Sequence, residues 1–131
     1  MAVTNTQRTL ALLKKQGLPC QVVEKWVSYP KKPGQPGPPG VRIDLFNIID
    51  ILCLDYDRGV VGIQVCSGSG YAAHFRKITD EQRDNTRKWL ATPGTVLEIW
   101  AWRKLKKVRG GKATIWEPRI VEIMLSDIVR E

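Results

Sequence analysis

The chain has 131 residues, 43% hydrophobic and 26% charged, which suits one domain with a single core that needs no disulfide or metal staple. Its 21 Lys and Arg against 13 Asp and Glu give a formal net charge of +8, favouring polyanionic partners because each neutralised phosphate releases condensed counterions. Cys20, Cys53 and Cys66 form no CxxC pair and stand beside a single histidine, which argues against a zinc site. Two of them sit in apolar strand-like runs and read as reduced thiols. No apolar run approaches a membrane span and MAVTNTQRTL lacks a signal-peptide pattern, so the expected location is cytoplasmic.

In chain order, TNTQRTLALLKKQG reads as a short helix. Thr4 and Gln7 have capping-box spacing, Leu10 and Leu13 supply an apolar side, and Gly17 is a stop signal. CQVVEKWVSY (20–29) reads as one strand. The following PKKPGQPGPPG (30–40) holds five of the eight prolines and excludes a helix or central strand, so it is an exposed loop inserted into one domain spanning 1–131. A strand is expected through Ile48–Leu54 and another through 59–66. DYDRG is the turn that joins them as an antiparallel hairpin.

After the Ser/Gly run, YAAHFRKI reads as a helix. Thr79 and Gln82 match a second capping box that restarts a helix as far as Pro93-Gly94. TVLEIWAWRK (95–104) alternates as a strand with Val96, Glu98, Trp100 and Trp102 on one side. LKKVRGGK is a basic turn, and 113–125 is a strand pair or one bent strand, interrupted by Pro118. The expected order is α-β-β-β-α-α-β-β, an α+β domain of the α/β sandwich type.

Chemistry concentrates on the 48–66 hairpin. Pairing Asp55 with Gly59 around a three-residue loop puts Asp50 opposite Gln64, and Cys66 one step further along the same face, opposite Ile48. A register shifted by one residue would instead bring Val65 opposite Asp50. An aspartate between Ile49 and Ile51 is costly to bury, and either a metal ion or a hydrogen-bond network relieves that cost. Asp44 reads as a second acid at a cleft mouth or as a plain loop residue. Ser67 and Ser69, with Gly68 and Gly70, either expose N–H groups to a phosphate or cap a helix. His74 reads as a surface or interface histidine or as a general base.

An aspartate ending one strand, a hairpin, a polar-x-polar pair on the next strand and then a helix resemble the PD-(D/E)xK nuclease superfamily, over about residues 4–104. RIDLFNIIDILCL…GIQVCSGSGYAAHFRKI also looks like small phage-type members in which Gln-x-Thr/Cys-Ser replaces Glu-x-Lys. The resemblance implies a restriction-endonuclease-like core, a central mixed β-sheet flanked by helices. It implies Mg²⁺ or Mn²⁺ held by Asp50 and by Gln64, which falls where the family carries Glu. Cys66 falls where the family carries Lys and cannot supply its charge; Lys77 or Arg76, on the following helix, could reach back to do so.

The implied activity is a small metal-dependent DNA endonuclease, resolvase-like, acting on branched or structured DNA and working as a homodimer. The alternatives are a catalytically inactive nucleic-acid-binding module on the same fold and a protein-interaction domain. Arg103, Lys104, Lys106, Lys107 and Arg109 form the basic cluster for DNA. Beside them, Trp100 and Trp102 either stack on bases or belong to the core.

Overall fold

The computed structural model describes residues 2–37 and 39–130. Helix α1 (Asn5–Lys15) starts at the expected capping box. Gln7 N–H donates to Thr4 Oγ1 at 3.1 Å, and the Thr4 N–H donates to Gln7 Oε1 at 2.9 Å. It ends at Gly17, whose φ of +78° suits glycine.

Strands β1 (Cys20–Val22), β4 (Ile51–Asp55), β5 (Gly59–Ser67), β6 (Thr95–Lys106) and β7 (Thr114–Glu122) form one five-stranded sheet in the order β1-β4-β5-β6-β7. Only β5 and β6 are parallel, so the sheet is mixed and their crossover carries α2 (Tyr71–Arg76) and α3 (Arg83–Ala91). The molecule is α+β, with a mixed central sheet and, among the described residues, three α-helices.

Alternation along the strands separates two cores. On the α1 side Leu13 packs with Ile51, Cys53, Val61, Ile63, Trp100 and Trp102. On the other side Ile48, Ile49, Cys66, Ile78, Leu97, Ile99 and Ala101 meet Tyr71, Phe75, Trp89 and Leu90 of α2 and α3. Burying an isoleucine such as Ile99 contributes roughly 1.5–3 kcal/mol. One polar bond ties α1 down: Trp102 Nε1 donates to the buried Thr9 hydroxyl at 2.8 Å, and that hydroxyl donates to Asn5 O at 2.9 Å. No helix among the described residues is long and apolar enough to cross a membrane.

Four expectations are corrected. The strand expected over 20–29 splits: β1 joins the main sheet, while β2 (Lys25–Ser28) pairs with β3 (Gly40–Ile43) as a separate hairpin whose loop is the Pro/Gly-rich run. The strand expected from Ile48 starts at Ile51, because residues 44–50 fold as a turn with Phe46 and Asn47 at φ 53° and 62°.

Thr79 caps nothing. Its hydroxyl donates to Phe75 O at 2.7 Å, and the chain passes from α2 to α3 through a π-helical turn in which Gln82 N–H donates to Lys77 O at 2.7 Å. Pro118 does not divide β7. Leu97 accepts from Ile123 N–H two pairs beyond Ile99–Val121, so odd-numbered β6 residues face hydrogen-bonded partners and even-numbered ones do not. Trp102–Pro118 is therefore a non-hydrogen-bonded pair on the outer strand, where a missing N–H costs no ladder bond.

Candidate active site

The hairpin register is the expected one. Asp55 pairs with Gly59 and Ile51 with Ile63, and just beyond that last pair the side chains of Asp50 and Gln64 meet. The Asp50 N–H donates to Ile63 O at 2.9 Å, while its own carbonyl accepts from Val23 N–H at 2.8 Å, so its backbone is held from both neighbouring strands. Leu45 and Ile49 form a two-way bridge across the preceding turn. One step outward, that bridge sets Asp44 opposite Asp50.

The two acids, six residues apart in sequence, are thus brought together by a turn through left-handed Phe46 and Asn47. Neither is glycine, and such backbone is strained. Asn85 Nδ2 donates to Phe46 O at 3.0 Å, and the Phe46 and Trp89 ring centroids lie 6.4 Å apart, so α3 holds this turn in place.

Four side chains then converge. Asp50 Oδ2 accepts from Gln64 Nε2 at 2.6 Å and from Val65 N–H at 2.8 Å. Asp44 Oδ2 accepts from Lys77 Nζ at 3.1 Å and from Gln64 Nε2 at 3.4 Å, and Lys77 Nζ also donates to Gln64 Oε1 at 3.3 Å. Asp50 and Gln64 are buried, with 7% and 2% of their surface exposed. Glu24 adds a third carboxylate: one oxygen each from Glu24, Asp44 and Asp50 all lie within 4.8 Å of one another.

Electrostatics divide the acid pair. Burial, then the hydrogen bond and charge of Asp44, push the Asp50 carboxyl up to about 7, against the opposing pull of Val65 N–H and Gln64. Burial also acts to raise Asp44, but hydrogen bonds from Asp50 and Lys77, with the Lys77 charge, outweigh it and hold Asp44 below the usual carboxylate range. Below about pH 7 the pair thus holds one proton, on Asp50, beside an Asp44 carboxylate that Lys77 keeps ionised.

Among the residues singled out from sequence, Asp50, Gln64 and Lys77 meet, and Asp44 joins them. Arg76 does not join them: it is exposed and bonds to no member of the cluster among the described residues. Gln64 is present but turned. Lys77 only donates and carboxylates accept, so the network orients its NH₂ toward the acids and its carbonyl toward Lys77. Cys66 is a small core hydrophobe beside Ile48 and Ile78, its thiol pushed up to about 11, chiefly by burial.

Ser67 caps a short 3₁₀ turn by accepting from Gly70 N–H at 3.1 Å, with Ser69 Oγ 3.1 Å from its own; both serines are exposed. His74 is half-buried near the site. Its Nδ1 lacks a hydrogen-bond partner, and burial, then the Lys77 charge, push it down.

The basic cations Arg103, Lys104, Lys106, Lys107 and Arg109 are all exposed around the β6–β7 turn. The tryptophans beside them are not: Trp100 and Trp102 are 3% and 5% exposed and belong to the core, which removes the stacking reading. The accessible indoles are Trp26 and Trp116, 50% and 41% exposed, and Arg8 lies 3.8 Å over the Trp116 ring. Trp26 lines a cavity of about 510 Å³ with Thr4, Lys25, Arg42 and the same Glu24 that belongs to the acid cluster.

Glu24 and Trp26 are the functional candidates that sequence reasoning missed. Their signal was present: a carboxylate inside the apolar run QVVEKWV is the same anomaly that picked out Asp50.

No protein-family model, curated protein or solved structure matches the chain. The cluster itself therefore carries the functional reading.

Proposed function

We propose that this chain is a metal-dependent DNA endonuclease of the PD-(D/E)xK type, with a restriction-endonuclease-like core, acting on branched or otherwise structured DNA. The observation that carries the reading is the position of Lys77. An ammonium reaching from α2 to within 3.1 Å of Asp44 and 3.3 Å of Gln64 restores the charge that Cys66 cannot supply. The chain order supports it too: a helix, an antiparallel hairpin bearing the acid and the polar pair, a helical crossover, then a parallel strand.

The donor set fits a hard dication. Asp44, Asp50 and Glu24 offer only oxygen, and a dication among them would offset the cost of burying Asp50 as a carboxylate beside Asp44. These three residues would hold Mg²⁺ or Mn²⁺, which supplies Lewis acidity and an activated water when bound. Gln64 acts as a positioning residue, gripping Asp50 through its NH₂ and Lys77 through its carbonyl. Of the three ammonium protons of Lys77, two are engaged by Asp44 and Gln64, and the third is free for a phosphate oxygen as charge develops on it.

DNA would approach across the basic β6–β7 turn, with counterion release supplying most of the affinity. Trp26, beside Glu24, offers a face on which a base next to the cleaved phosphate stacks. The homodimer implied by resemblance to junction resolvases belongs to the same reading.

The test is purified protein with four-way-junction and linear DNA in Mg²⁺ or Mn²⁺, beside Asp50→Ala. Cleavage that requires metal and Asp50 is expected; cleavage by Asp50→Ala at the normal rate would refute the assignment. A second reading, a binding module without catalysis, is favoured by one feature: Lys77 and the Asp50 proton already neutralise much of the cluster. It predicts salt-sensitive DNA binding and no cleavage in either metal.

A further inference from the structure

Away from the acid cluster, Cys20 and Cys53 face each other directly across the β1–β4 ladder. The hydrogen bonds on either side fix which kind of pair this is. Leu54 N–H donates to Pro19 O at 2.9 Å and Val23 N–H donates to Asp50 O at 2.8 Å, so the bonds flank the Cys20–Cys53 and Val22–Ile51 pairs instead of passing through them. Cys20–Cys53 is therefore a non-hydrogen-bonded pair. At such positions the Cα atoms lie about 4.5 Å apart with side chains on one face, inside the roughly 4.4–6.8 Å range that a disulfide spans.

The two thiols differ in access. Cys53 is 2% exposed and packs in the α1-side core, where burial, then the neighbouring Cys20, push its thiol up. Cys20 is half-buried on the edge strand, its Sγ–H directed at Leu10 O across 3.9 Å. Cys66 belongs to the opposite core and cannot reach either.

We propose that Cys20 and Cys53 are a thiol–disulfide exchange site whose oxidant is a small disulfide such as oxidised glutathione. The accessible Cys20 thiolate attacks one sulfur of the oxidant, breaking its S–S bond and releasing one glutathione thiol. Cys53 then gives up its proton to water and attacks the Cys20 sulfur, releasing the second glutathione. Two electrons pass from the protein dithiol to the oxidant, and two protons balance the two departing thiolates.

The bond would close a loop over residues 21–52, which contains Glu24, Asp44 and Asp50, and so would clamp the strand edge from which the acid cluster is built. Neither cysteine belongs to that cluster, so the bond forms or fails to form whatever the cluster does.

The experiment incubates the reduced full-length protein with oxidised glutathione, quenches by alkylation under denaturing conditions, and maps peptides by mass spectrometry. The expected result is one alkylated cysteine, Cys66, and a Cys20–Cys53 cross-linked peptide in a monomer, all reversed by dithiothreitol. Cys66→Ser is expected to form the same cross-link, and Cys53→Ser to retain glutathione on Cys20. Three alkylated cysteines, a lasting glutathione adduct on wild-type Cys20, or a cross-link involving Cys66 would each overturn the proposal.

Discussion

Lys77 Nζ sits 3.1 Å from Asp44 Oδ2, a contact between the end of α2 and a turn 33 residues earlier that closes the acid cluster from the helical side. The π-helical turn begins at Lys77, where the Gln82 N–H reaches back five residues instead of four. Insertions of this kind recur at functional sites. Here the insertion starts at the cation on which the proposed nuclease reading rests, so Lys77 ends the regular part of the helix.

Replacing Lys77 with alanine is expected to lower metal-dependent cleavage by about 10²-fold or more, since one charged donor to a transition-state oxyanion is worth that much. Arg76→Ala, one residue away and exposed, is expected to change the rate little. Single-turnover rates on the same substrate make the comparison, and equal losses in both variants would place the charge elsewhere.

Stability should depend on pH through Asp50. Folded Asp50 keeps its proton up to about pH 7, whereas an unfolded aspartate loses it near 3.8, so in between the unfolded state binds fewer protons and stability falls as pH rises. Asp44, held low, adds an opposite slope only near and below its unfolded value of 3.8 and little above it. Asp50→Asn should remove a loss of about 2–4 kcal/mol between pH 4 and 7, read by urea denaturation at several pH values. Parallel wild-type and variant curves would show that the Asp50 carboxyl is not raised.

Trp26→Ala is expected to weaken binding of a short single-stranded oligonucleotide by about 1–3 kcal/mol, with Trp26→Phe close to wild type. The side chain is half-exposed, so loss of fold is not the expected cause. Fluorescence titration without metal separates this binding from any cleavage, and unchanged affinity in the alanine variant would remove Trp26 from the interface.

Reversing charge at Lys104, Lys106 and Lys107 should reduce the slope of log K against log salt by about 0.9 for each duplex phosphate that these lysines neutralise. Because these cations are exposed at the end of β6 and in the turn after it, the melting temperature should hold. Anisotropy at several salt concentrations measures the slope.

Gly59→Ala tests the frame around the site. Gly59 adopts φ +103°, and a Cβ there would stand 2.1 Å from the Gly94 carbonyl oxygen, which also accepts from Val60 N–H at 2.8 Å. A backbone clash on a left-handed residue predicts a loss of about 2 kcal/mol or more in thermal or chemical denaturation.

What was legible in the sequence was local. The Thr4–Gln7 cap, the Asp55–Gly59 turn and the hairpin register as far as Ile51–Ile63 depend on spacings of a few residues, and each is found in the structure. The Thr79–Gln82 spacing misled because a helix that continues through a π turn carries the same residues as one that restarts. The juxtaposition of Asp44 with Asp50 was hidden because its turn uses Phe46 and Asn47 in left-handed backbone, with no glycine to announce it. Glu24 was absorbed into a long strand that in fact breaks beside it, and the pairing of β2 with β3 spans a Pro/Gly-rich run that carries no strand signal. Trp102 looked like a partner for the basic turn, yet its indole is committed to Thr9, a contact across 93 residues that no local pattern reveals.

The central claim is that Asp44, Asp50 and Glu24 hold a catalytic dication. Anomalous diffraction from a crystal soaked in Mn²⁺ tests it most directly. The expected result is a peak within coordination distance of Asp50 and Asp44, absent in Asp50→Ala. No peak at the cluster in the wild-type protein, with Mn²⁺ bound elsewhere or not at all, would contradict it.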